Sequence, residues 1–190
     1  MWFPNALLVL LSASTALACT LPTDVPSNNV SQGFAIQVQN ASYPAIHNRR
    51  MNLWAAGGGD QHLYLSPAGA PASDLTLVNG VITQLSSGGK TIRAVINGEY
   101  TAFDDTTKMF MTERGDPRAI YDVKYGCNQD NDAVQTELAF KERSGVTGGH
   151  LCVRLASGER YEFRYSPPGN CLVDNPNRLC IKVTLAIVRN

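Results

Sequence analysis

A chain of 190 residues is long enough for one domain with a substantial core, and too short for much more. Lys plus Arg number 16 and so do Asp plus Glu, leaving a formal net charge of zero. That balance excludes the basic excess by which nucleic-acid binders and proteins of anionic membrane surfaces are recognised, so neither partner is expected. Two local sets, Arg49-Arg50 and Arg154/Arg160/Arg164, could still form a patch; solvated arginines on strand faces are the plainer reading.

Residues 6–11 (ALLVLL) are a short apolar run and Ala16-Leu17-Ala18 is a small-residue cleavage box, so residues 1–18 are predicted to be a secretory signal peptide. The run falls well short of the roughly 20 apolar residues a membrane-spanning helix needs. The segment before it holds no Lys or Arg, which leaves the α-amino group as its only charge. No second apolar run follows. The mature chain is therefore expected to begin at or near Cys19, to be secreted and extracellular, and to span no membrane.

Residues 19–32 are rich in Pro, Asn, Ser and Thr and read as an extended leader, with a single β domain over residues 33–190. Asn29-Val30-Ser31 and Asn40-Ala41-Ser42 are N-glycosylation sequons, each as readily a chance match. Phe34, Ile36 and Val38 alternate with Ala35, Gln37 and Gln39 as one strand. After an irregular connection come strands at residues 51–56 and 62–66 around Gly57-Gly58-Gly59-Asp60, then Leu75–Val78 and Val81–Leu85 around Asn79-Gly80. Four strands follow in a row, at residues 91–96, 99–103, 108–112 and 119–125, the first two joined by a tight primed turn at Asn97-Gly98. Residues 133–142 read equally as a strand or as a helix capped by Asp132 and stopped by Gly145. Residues 150–155 and 160–165 form a hairpin through Ser157-Gly158. Its second strand carries Tyr161, Phe163 and Tyr165 on one face and Arg160, Glu162 and Arg164 on the other. A long loop over residues 166–179 precedes a closing strand at residues 180–188.

Twelve or thirteen short strands without a convincing helix predict an all-β fold. They divide into three units of four, beginning near Phe34, Thr91 and Thr136. The third strands would be residues 62–66, 108–112 and 160–164, and the fourth 75–78, 119–125 and 181–187. In this the chain resembles β-trefoils, and its central unit, residues 91–126, resembles the repeats of fascin-type trefoils; one such unit cannot bury its own apolar face and needs the others. The resemblance implies a β-trefoil-like barrel of about twelve strands, with a two-sheet β-sandwich as the alternative. Residues 33–40 (GFAIQVQN), 55–62 (AAGGGDQH) and 109–121 also resemble small secreted proteins of filamentous fungi that carry no assigned function. That likeness implies a location and no activity.

All five cysteines, Cys19, Cys127, Cys152, Cys171 and Cys180, lie in the mature part, as an oxidising compartment predicts. Their spacing suits no zinc site, because there is no C-x2-C pair and no histidine at ligand distance. Spacing does not fix the disulfide pairing either. Cys171 with Cys180 would close a Pro- and Asn-rich loop, and Cys127 with Cys152 would tie the central unit to the next. Cys19 would then be left as a free thiol, an intermolecular partner, or the sign of a different pairing.

Motifs for chemistry are weak. Ser87-Gly88-Gly89-Lys90-Thr91 ends like a phosphate-binding loop, but the motif's first glycine would fall on Gln84 and a strand follows where a helix should begin, so a hairpin turn is expected. Gly57-Gly58-Gly59 lacks the strand-to-helix setting of a dinucleotide fingerprint. Asn128, Asp130 and Asp132, with Glu137, could offer oxygens to calcium. Ala133 stands where such a loop needs glycine and Glu137 comes too early, so a solvated loop is favoured and no metal is expected. Arg114-Gly115-Asp116-Pro117 holds a tripeptide that adhesion receptors read, at a place where Gly-Asp-Pro makes an ordinary turn. Three histidines, no G-x-S-x-G motif and no evident carboxylate pair give a hydrolase little support; no catalytic residue and no cofactor is expected.

Binding remains. Trp54, Asp60, Tyr100 and Asp104 are the expected contacts of a shallow glycan site, in which a ring stacks on a sugar and a carboxylate orients its hydroxyls. Burial in the core is the plainer reading of each aromatic, and the Q-x-W signature of ricin-type lectins is absent. The expectation is a secreted, non-catalytic β domain that binds a cell-wall or host glycan, or an extracellular protein. A small hydrolase and a loop-based inhibitor or effector using residues 166–179 are the alternatives.

Overall fold

The computed structural model describes residues 19–97, 106–115, 118–143, 145–169 and 179–189. The expected signal peptide, the strand expected at residues 99–103 with Tyr100, and Asp104 and Cys171 lie outside the described residues. Within them the chain forms fifteen strands and no helix, more strands than the twelve or thirteen expected. These are β1 (Val30–Gln39), β2 (Arg49–Gly57), β3 (Asp60–Leu65), β4 (Ala70–Pro71), β5 (Leu75–Val78), β6 (Val81–Leu85), β7 (Thr91–Ile96), β8 (Thr107–Thr112), β9 (Ala119–Cys127), β10 (Val134–Arg143), β11 (Val146–Thr147), β12 (His150–Ala156), β13 (Arg160–Ser166), β14 (Cys180–Lys182) and β15 (Thr184–Val188).

Two-residue alternation is what turns these segments into strands with a buried stripe. In β8, Thr107, Met109 and Met111 are buried while Lys108 and Phe110 are partly exposed. In β9, Ala119, Tyr121 and Val123 are buried and Ile120 and Asp122 are not. The β5–β6 hairpin turns at Asn79 (φ 49°) and Gly80 (φ 79°), both left-handed, as a primed two-residue turn demands. A Cβ at Gly80 would overlap the Tyr121 carbonyl, so this turn packs directly on β9. There the Tyr121 N–H donates to the Gly80 carbonyl at 2.8 Å.

Ten strands pair antiparallel into a closed ring, β2-β3-β13-β8-β7-β6-β9-β10-β15-β1, with β1 returning to β2. The rest attach to it: β5 bridges β1 and β6, β12 extends β13 and carries β14, β4 lies on β2, and β11 on β10. Closure leaves the ring without a free edge, so the body is a barrel and not a two-sheet sandwich. Strands β3, β8 and β13, which contain the residues expected as third strands, pair with one another. The ambiguity at residues 133–142 resolves to strand, because β9 takes one side of the β10 backbone and β15 the other.

The apolar stripes meet in one core that includes Phe34, Ile36, Leu63, Leu65, Met111, Tyr121, Val153 and Phe163, all buried. Each side chain of this kind contributes about 1.5–3 kcal/mol when removed from water. The two phenols within this core keep partners: Tyr121 donates to Met109 Sδ at 3.3 Å and Tyr165 to the Gly148 carbonyl at 3.2 Å.

The stretch ahead of β1 is fastened to the barrel. Asn28 donates to Asp122 Oδ1 at 2.6 Å and accepts the Val123 N–H at 2.8 Å, and Tyr125 donates to Asp24 at 3.0 Å. Among the described residues two disulfides form, Cys19–Cys127 and Cys152–Cys180, with Cα atoms 5.8 and 5.3 Å apart. This corrects the expected pairing. Cys127 ends β9 where the leader delivers Cys19, while β12 sets Cys152 opposite Lys182 in the same short ladder that holds Cys180. Nearness in sequence favoured the other partners; strand pairing decides.

Candidate functional site

Four strands that send one residue set into the core send the other to a shared outer face. Leu63 and Leu65 of β3 point inward, and His62 and Tyr64 outward; Phe163 and Tyr165 of β13 point inward, and Arg160, Glu162 and Arg164 outward. β2 adds Trp54, and β8 adds Lys108 and Phe110. The ladders fix their neighbours. Arg154 of β12 stands opposite Glu162, which stands opposite Tyr64; Trp54 stands opposite His62, which stands opposite Phe110.

At the centre is Glu162, with a side chain only 8% exposed. Its Oε1 accepts from Arg154 at 2.9 Å and from Arg164 at 2.8 Å, and Lys108 Nζ lies 3.5 Å from Oε2. Arg164 also donates to the hydroxyl and the carbonyl of Thr106, both at 2.6 Å. Burial pushes the Glu162 pKa up, but Arg164, Lys108 and Arg154 outweigh it and hold the carboxyl below its ordinary value. His62 moves down as well, first by burial and then by Lys108, against the pull of Glu162 and Asp60. The imidazole therefore sits on this face neutral at pH 7, and Tyr64 keeps its phenol proton, its pKa raised by burial and by Glu162.

Beside this network stands an aromatic step. Trp54 is 43% exposed, and the Arg160 guanidinium lies 4.8 Å from its ring centroid and 5.2 Å from that of Tyr64. The two rings meet edge to face at 6.1 Å and 83°. Arg160 Nε donates to the Ser157 carbonyl at 3.1 Å, which helps fix the guanidinium on the rings. Asp60 opens β3 on the same hairpin, with Oδ2 3.7 Å from Arg114. Its Oδ1 is shielded from solvent and has no hydrogen-bond partner among the described residues.

Of the four expected glycan contacts, then, Trp54 and Asp60 share the β2–β3 hairpin, and Tyr100 and Asp104 lie outside the described residues. Sequence reasoning missed His62, Lys108, Arg160 and Glu162. The Arg154/Arg160/Arg164 set carries the signal, yet solvated arginines are its plainer reading in the sequence. Arg154 and Arg164 are in fact 7% and 5% exposed, so that reading is corrected for both. Arg49 goes elsewhere, donating to the Ser66 and Ala45 carbonyls and lying over Tyr161.

The remaining motifs are occupied by structure. The residues around Ser87-Gly88-Gly89 connect β6 to β7, with Gly89 N–H on the Ser86 carbonyl at 2.9 Å and Lys90 paired to Glu113 at 2.8 Å. In the loop after β9, Asp130 accepts from His47 at 2.8 Å and Asn48 at 2.7 Å, and Asn128 and Asn131 accept backbone N–H groups of the loop itself. Those hydrogen bonds, Asn48 before His47, lower the Asp130 pKa. Among the described residues no three His, Cys, Asp or Glu side chains gather where they could hold a metal ion. Asp116 of the Arg-Gly-Asp tripeptide lies outside the described residues. A cleft of about 240 Å³ beside β10 and β15 is lined by Lys124, Glu137, His150 and Lys182 among others, with Glu137 the one carboxylate among the described residues that line it.

Among the described residues no helix is long and apolar enough to cross a membrane. Neither a curated protein nor a solved structure matches the chain. A family model does, over residues 20–190, and by that match the chain belongs to DUF7909, a domain of unknown function.

Proposed function

We propose that the chain is a secreted binding module that holds an extracellular glycan on the face built by β2, β3 and β13. The observation that carries this is the half-exposed Trp54 ring, fixed from two sides by Arg160 and Tyr64, with Asp60 on the same hairpin. A rigid, partly wet aromatic flanked by polar groups suits the apolar face and the hydroxyl edge of a sugar ring. Export through residues 1–18, with the mature chain entering an oxidising compartment, is part of the same reading; two disulfides and the two sequons at Asn29 and Asn40 support it.

A β-trefoil is the finer architecture we read into the barrel. Setting aside β4, β11 and β14, which are two or three residues long, twelve strands remain. Of these, β1, β5, β6, β9, β10 and β15 pair in a six-membered ring, and the hairpins β2–β3, β7–β8 and β12–β13 meet through their second strands. On this reading the second unit begins at Val81 rather than near Thr91. An experimental structure in which β5 leaves β1, or β3, β8 and β13 separate, would overturn it.

The binding reading is tested by presenting the secreted protein to arrays of plant, fungal and animal glycans. Trp54→Ala should weaken retention on the bound glycan about tenfold or more, the usual cost of truncating an aromatic anchor, with the circular-dichroism spectrum unchanged. Silence across the arrays would defeat the proposal.

A further inference from the structure

Four cations gather on this face. Arg154, Arg164 and Lys108 converge on Glu162, so one buried carboxylate already answers three cations. Arg160 stands apart. It is half-buried, its Nε is spent on the Ser157 carbonyl, and its guanidinium rests on Trp54 and Tyr64, yet among the described residues no carboxylate pairs with it. Asp60, on the β2–β3 hairpin, is directed to Arg114, and Glu159, next to Arg160 in the β12–β13 turn, lies on the exposed surface without an ion pair to it. A guanidinium held in place against two rings, with no carboxylate partner among the described residues, presents its terminal N–H groups as a preorganised fork for a planar anion. His62 alongside is neutral at pH 7 and adds no second positive charge to attract an anion.

From this we infer that the ligand is a uronate-bearing polysaccharide, its sugar ring against Trp54 and its carboxylate on Arg160. The inference rests on the glycan-binding reading above and deepens it. A single planar negative charge next to an apolar ring face is the chemistry of a uronic acid residue. A densely sulfated chain would instead call on several accessible cations, and here Arg154 and Arg164 are buried and committed to Glu162.

The probe is one polymer in two forms: polygalacturonate and the same chain with its carboxyls methyl-esterified, titrated against the secreted protein at moderate salt. Polygalacturonate should bind, esterification should weaken binding about tenfold or more, and Arg160→Gln should cause a loss of the same size for the acid form alone. Arg160→Lys keeps the charge without the fork and should recover only part of the affinity. Binding of the acid should also fall as salt rises. Equal binding of ester and acid, full binding by Arg160→Gln, or retention only on sulfated polysaccharides would overturn the uronate inference. Binding confined to neutral glycans would overturn it too while leaving the glycan-binding reading standing; no binding to any glycan, acidic or neutral, removes both. Should Arg160→Gln fail to fold, the ester comparison decides without a variant.

Discussion

Glu162 shows how much one residue can commit a surface. Its carboxylate is the shared acceptor of Arg154 and Arg164, with Lys108 close by, so replacing it by an amide removes the charge on which three cations converge. Removing one partner of a buried ion cluster costs about 3–5 kcal/mol, and Glu162→Gln should lower the urea midpoint accordingly. The sign of the pH effect follows from the direction of the shift. The folded pKa lies below the ordinary 4.5, so the stabilising contribution is complete above that value and is lost as pH falls through the lower folded one. Wild-type stability should therefore drop in mild acid more steeply than that of Glu162→Gln, as urea titrations from pH 6 to pH 3 would show. At this scale the sequence was legible in parity and illegible in depth. Alternation told which side of β13 Arg160, Glu162 and Arg164 occupy. Their burial depends on β3, β8 and β12, which arrive from elsewhere in the chain, and no pattern within β13 carries that information.

Elements were read best where both signals agreed, as in β5 and β6, whose alternation is bounded by Asn79-Gly80. β10 was ambiguous because its own residues suit either backbone; the neighbours β9 and β15 settle it by taking its N–H and carbonyl groups. The leader was read as lacking a core face. That composition is accurate, yet the polar side chains do the fastening. Asn28 makes two hydrogen bonds to β9, one to the Asp122 carboxylate and one from the Val123 backbone, and its carbonyl takes the Gly80 N–H at 2.9 Å. Asn28→Ala removes the two side-chain bonds and keeps the backbone one. At about 0.5–1.5 kcal/mol each, the loss should reach about 1–3 kcal/mol. Hydrogen exchange should then rise first in residues 24–30, and unchanged exchange there would mean that the leader is held by its disulfide alone.

Across the whole molecule the net charge of zero says nothing of placement: Lys108, Arg154, Arg160 and Arg164, from β8, β12 and β13, come together on one outer face. Composition excluded a uniformly basic surface and could say nothing about this, since placement is decided by closure of the ring. The disulfides act at the same scale. Cys152–Cys180 spans 28 residues and staples β14 to β12, a local gain, whereas Cys19–Cys127 spans 108 residues and ties the first described residue to the end of β9. A cross-link over that span restricts the unfolded chain by up to about 4–5 kcal/mol in the loop-entropy account, against about 3–4 for the shorter one. Cys19→Ser with Cys127→Ser should thus cost more stability than Cys152→Ser with Cys180→Ser. The comparison has a second consequence. The longer bridge lies at the leader and the shorter one beside Arg154, opposite Cys180 in the β12–β14 ladder. Losing Cys19–Cys127 should lower the urea midpoint and leave glycan affinity intact, while losing Cys152–Cys180 should loosen the strand that supplies Arg154 to Glu162 and weaken both. If affinity instead followed the leader bridge, the binding surface would have to be sought near residues 19–29 and not on the β2–β3–β13 face.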